Sequence, residues 1–61
     1  MLITVAEVLV GDYLYIPERD TYERVVEVKV NNTCVLVACK DRAAYRQYVP
    51  GAKVDVIRRY Q

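Results

Sequence analysis

The chain has no histidine, tryptophan or phenylalanine, and no serine, among its 61 residues. Losing histidine and serine together removes the Ser-His and Cys-His nucleophilic schemes. It also removes the usual zinc ligand sets. Only Gly11 and Gly51 are present, so no glycine-rich loop can cradle a phosphate. The two cysteines, Cys34 and Cys39, fall on one expected strand and point to opposite faces, which disfavours a disulfide between them. They read as small apolar packing residues, and free thiols suit a reducing, cytoplasmic setting. No apolar run approaches the roughly 18–20 residues of a membrane-spanning helix. The opening Met-Leu-Ile-Thr-Val shows no basic leader or cleavage site. The carboxylate pairs Glu18/Asp20 and Glu23/Glu27 fit a charged surface better than acid–base chemistry. The expectation is a non-enzymatic protein with no cofactor, no metal and no membrane partner.

What is present is apolar and β-branched. The hydrophobic fraction is 54%, too high for a disordered chain. Residues 1–61 are expected to form one domain, marginal by itself because so short a chain buries a modest share of its surface. The net charge is +1 but unevenly spread. Residues 1–28 carry six acids and two bases, whereas residues 29–61 carry two acids and seven bases. Such asymmetry marks an anionic partner, unless strands of the two halves interleave and the charges cancel.

The organising stretch is Tyr22–Lys40, read as a long β-hairpin turning at Asn31-Asn32 in a two-residue type I′ turn. That register sets Val30 against Thr33, Val28 against Val35, Val26 against Val37 and Arg24 against Cys39. One face then holds Val26, Val28, Val30, Val35 and Val37 and is the expected core. The other face carries Val25, Cys34, Leu36 and Ala38, an apolar stripe looking outward. Either a second layer of the same subunit covers it or it is a contact surface.

Before the hairpin, Thr4-Val5-Ala6-Glu7 fits a capping box, so a brief strand at residues 2–4 leads into a helical turn over residues 4–8. Val5, Val8 and Val10 are expected inside. Gly11-Asp12 is a turn that opens a strand over residues 13–17, with Leu14 and Ile16 on one face and Tyr13 and Tyr15 on the other. After the hairpin comes a turn at Asp41-Arg42. Residues 43–49 fit a strand or a helical face holding Tyr45, Tyr48 and Val49. Short connections favour the strand. Pro50-Gly51 is a turn, and residues 53–60 form the last strand with Val54 and Val56 inward.

This order, with Thr-Val-Ala-Glu-Val-Leu-Val-Gly-Asp at 4–12 opening an alternating strand, resembles the SH3-like small β-barrel of bacterial and phage type. The resemblance implies an all-β barrel of about five antiparallel strands with one short helical turn. It does not choose among the peptide, nucleic-acid and structural roles that the fold hosts.

Two functions are expected from the residues. The first is protein interaction, self-association included, through Val25, Cys34, Leu36 and Ala38 with Tyr13 and Tyr15. Exposed apolar stripes tend to be covered by partners, and tyrosine is enriched at interfaces. The alternative is single-stranded nucleic acid, RNA above all, bound by Lys40, Arg42, Arg46, Tyr48, Arg58, Arg59 and Tyr60. Cations interleaved with stacking aromatics suit that role, although the near-neutral net charge does not.

Overall fold

The computed structural model describes residues 1–59; Tyr60 and Gln61, and the expected nucleic-acid role of Tyr60, lie outside the described residues. Strand β1 (Leu2–Thr4) leads into a 3-10 turn (Val5–Glu7). Strands β2 (Tyr13–Ile16), β3 (Thr21–Val30), β4 (Val35–Cys39), β5 (Arg46–Tyr48) and β6 (Lys53–Ile57) follow. The fold is therefore all-β, with six antiparallel strands and no α-helix among the described residues. The order in the sheet is β1-β6-β2-β3-β4-β5. No ladder joins β1 to β5, so the sheet stays open at those two edges.

Alternation puts Leu14 and Ile16 of β2, Val35, Val37 and Cys39 of β4, and Val54 and Val56 of β6 inside. Val5, Val8 and Val25 complete one core cluster, and Ile3, Val28, Tyr48 and Ala52 pack against it. The Glu7 carboxylate accepts a 3.3 Å hydrogen bond from the Thr4 N–H, as the capping pattern predicts. Val10 is a correction: it is exposed, because the chain turns outward there. Gly11 follows with φ of 99°, a left-handed conformation that glycine adopts without steric cost.

The hairpin bend is also corrected. The pairing is Val30 with Val35 and Val28 with Val37, two residues away from the expected register. Four residues, 31–34, form the loop. Neither asparagine has positive φ, so the turn is not type I′. Instead the Asn31 Oδ1 accepts from the Thr33 and Cys34 N–H groups at 3.1 and 3.0 Å. Asparagine closes the loop with its side chain, an alternative to backbone turning.

A slip of two keeps every side chain on its expected face. A β-bulge at Val26 does not. Val25 pairs with Cys39 and Glu27 with Ala38, leaving Val26 as the extra residue. Beyond it the faces of β3 are exchanged: Val25 is fully buried and Val26 is 46% exposed. Val25 thus leaves the expected outward stripe for the core. Val30, at the hairpin tip, is exposed rather than buried. A bulge bends its strand and increases the local twist, so β3 pairs with β2 on one side of the bend and β4 on the other. Residues 43–49 contain a strand, but only over Arg46–Tyr48.

Val25→Ala is expected to cost roughly 2 kcal/mol of stability through the cavity it leaves. Val26→Ala should stay within about 0.5 kcal/mol, the usual range of surface changes. Urea denaturation of both variants checks this, and the reverse order would restore the expected faces.

Candidate functional site

One buried polar residue sits among the core side chains. Asp12 is fully buried, and its two carboxylate oxygens have separate tasks. Oδ2 accepts from the Leu9 N–H at 2.9 Å, and Oδ1 accepts from Arg58 Nε at 2.9 Å. Arg58 Nη2 also donates to the Glu7 carbonyl at 2.9 Å. The backbone of Asp12 joins in: its N–H donates to the Leu9 carbonyl and its carbonyl accepts from the Val25 N–H. This cluster ties the turn after β1, the middle of β3 and the end of β6. It is a structural centre. Arg58, expected at a nucleic-acid contact, belongs to it.

The other expected cations are similarly engaged. Arg42, from the β4–β5 turn, donates through Nε and Nη2 to the two oxygens of Glu23 at 3.2 and 2.8 Å. Arg46 donates to Glu18 at 2.5 and 3.3 Å and through Nε to the Tyr48 hydroxyl at 2.9 Å. Each of these arginines comes from the basic half of the chain and each acid from the acidic half. The strands interleave and the charges cancel locally. Lys40 is exposed, and the Arg59 guanidinium lies 6.0 Å from the Tyr13 ring centroid.

The residues expected at a protein interface fall into two groups. Leu36 and Ala38 lie on the outer face of β4, half-buried, opposite Lys29 and Glu27. Tyr45 closes over that patch: its hydroxyl donates to Glu27, and Lys29 Nζ lies 5.0 Å from its ring centroid. Cys34 sits in the hairpin loop, half-buried, with a free thiol. The aliphatic stripe is thus narrower and more charged than the alternation suggests.

The second group is aromatic. Tyr13 and Tyr15 face outward from β2, opposite Arg24 and Tyr22 of β3. The Tyr15 and Tyr22 rings are 5.3 Å apart at 56°, a tilted pair favoured by the ring quadrupoles. Their hydroxyls are pinned: Tyr15 donates to Asp20 at 2.6 Å and Tyr22 to Asp55 at 2.8 Å. Ile57 of β6 stands beside Tyr13. Along β3, Arg24 and Lys29 are five residues apart, roughly 16 Å at about 3.3 Å per residue, so the two groups are separate patches. Sequence reasoning missed Tyr22 as a member of this face. The two-residue spacing of Tyr13 and Tyr15 was the available signal, but the partner strand that aligns with them was not legible.

A comparison with protein-family models, with curated proteins and with solved structures found no match to this chain. No helix among the described residues is long and apolar enough to cross a membrane.

The Arg46 hydrogen bond holds the Glu18 carboxyl down at about 2. Arg42 lowers Glu23, and the terminal amine with the Tyr22 hydroxyl lowers Asp55. A carboxylate whose folded pKa is depressed contributes stability that is present above its unfolded value, about 4. That contribution disappears as pH falls through the folded value. Thermal melts should therefore lose stability between about pH 5 and pH 2. Arg46→Gln should make this acid limb shallower, because it removes the largest cause of the Glu18 depression while leaving the backbone hydrogen bond of Glu18 in place.

Proposed function

We propose that the chain is a non-enzymatic, SH3-like β-module that works by binding protein. Its docking face is the outer surface of β2 and the first half of β3: Tyr13, Tyr15, Tyr22 and Arg24, with Ile57 beside them. The observation that carries this reading is the partly exposed set of three tyrosines on adjacent strands, two of them with hydroxyls fixed by carboxylates. Rigid amphipathic rings lose little entropy on binding, and tyrosine and arginine are over-represented among the residues that dominate interfaces. The barrel reading is supported by the run β6-β2-β3-β4-β5 and by one long bent strand serving both halves.

A second copy of the chain is the favoured occupant. Association would add buried area to a core of ten mostly small side chains. The Leu36–Ala38 patch is the weaker candidate, because Glu27 and Lys29 stand in line with it. Nucleic acid is disfavoured, since Arg42, Arg46 and Arg58 are engaged by Glu23, Glu18 and Asp12. Asp20 and Asp55 also sit beside the tyrosines and would repel phosphates.

Sedimentation velocity over a wide range of protein concentration tests this. A monomer–dimer equilibrium is expected. Arg24→Glu, which breaks no ion pair among the described residues, should weaken it at least about tenfold without moving the denaturation midpoint. A monomer throughout, or an equilibrium indifferent to Arg24→Glu, would remove the self-association reading. Tight binding to a short RNA that weakens steeply with salt would replace it.

A further inference from the structure

Where the β2–β3 loop meets the β4–β5 turn there is a groove of about 570 Å³. Arg19 reaches it from the loop and Arg42 from the turn, with Glu23 between them and Cys39 also lining it. Ala43, Ala44 and Tyr45 add apolar surface. Burial raises the pKa of the Cys39 thiol, so it remains neutral there.

Among the residues that line this groove, guanidiniums outnumber carboxylates. Glu23, whose side chain is only 13% exposed, is shared by two guanidiniums. Arg42 holds it through two hydrogen bonds. Arg19 comes no closer than 3.6 Å, beyond good hydrogen-bond range, and its side chain is 43% exposed. Among the described residues, the Arg19 side chain makes no hydrogen bond. The neighbouring Arg46 is satisfied by Glu18 and Tyr48. Arg19 is thus the lining guanidinium left without a hydrogen bond, a planar fork of donors beside an apolar wall; Asp41, near Arg42, lies outside the lining.

We propose that this groove binds a carboxylate-bearing peptide segment of a partner protein. Arg19, supported by Arg42, grips the carboxylate, and Ala43, Ala44 and Tyr45 seat the chain around it. The proposal rests on the protein-binding reading above but uses a different surface. Guanidinium forks match carboxylate geometry. Glu23 limits the site to one added negative charge, which favours a carboxylate over a doubly charged phosphate. The apolar wall suits a peptide rather than a bare ion.

The test is an NMR titration of the Arg Nε–H resonances with a capped peptide of alternating Glu and Ala. A Gln/Ala peptide and inorganic phosphate serve as comparisons. The Glu peptide should shift the Arg19 and Arg42 signals saturably, the Gln peptide should not, and phosphate should bind more weakly. Arg19→Gln should weaken binding about tenfold, the usual worth of a charged hydrogen bond. Absence of shifts, equal shifts with the Gln peptide, phosphate binding as tightly as peptide, or indifference to Arg19→Gln would each overturn it. Repeating the titration on Arg24→Glu separates the two readings: peptide binding that persists there belongs to the groove, whatever becomes of self-association.

Discussion

The buried carboxylate of Asp12 is the constraint on which the rest of the structure depends. A charge taken fully out of water is tolerable only when its oxygens are matched by donors. Here one donor is local, the Leu9 N–H three residues before Asp12, and the other, Arg58, comes from just beyond β6. The carbonyl of the same residue pairs with Val25, the last inward residue before the β3 bulge. One residue, through its side chain and its carbonyl, thus joins the start of β2, the bend of β3 and the end of β6. The valines around it supply apolar area, but apolar contact is nondirectional and would not by itself choose this arrangement. The hydrogen bonds supply the direction.

The bend at Val26 is the second determinant, and it creates the functional geography. On one side of it, β3 lies against β2 and the tyrosines gather. On the other, β3 lies against β4 and the outer face carries Leu36, Ala38, Glu27 and Lys29. Without the bulge, alternation would put Tyr22 and Arg24 on the opposite face of β3 from Glu27 and Lys29; the bulge turns both pairs outward, and the bend keeps them apart. With it they form two patches of different chemistry, one aromatic, one mixed. The arginine groove, where Arg19 and Arg42 meet around Glu23, lies apart from the aromatic patch and borders the mixed one through Tyr45.

The uneven charge distribution finds its explanation in the same topology. Sheet neighbours are far apart in sequence, so the acids of the first half meet the bases of the second: Glu18 with Arg46, Glu23 with Arg42, Asp12 with Arg58. Most of the apparent basic surface is internal pairing. What escapes close pairing is local: Arg24 and Lys40 make no ion pair among the described residues, and Arg19 only a loose one with Glu23.

Period-two alternation and turn chemistry were enough to read the strand class, the inward set Leu14, Ile16, Val35, Val37, Val54 and Val56, the capping turn at Thr4–Glu7 and the outward direction of Tyr13 and Tyr15. These are local properties, carried by residues one or two apart. Three things were not legible. The inversion at Val25 and Val26 depends on which residue the partner strand leaves unpaired. The role of Arg58 depends on a buried acceptor forty-six positions earlier in the chain. The joining of Tyr22 to Tyr13 and Tyr15, and of Arg19 to Arg42, depends on strand pairing. A single sequence carries side-chain direction along each strand, whereas register between strands is a property of the assembled sheet, and it decided which surfaces this protein offers.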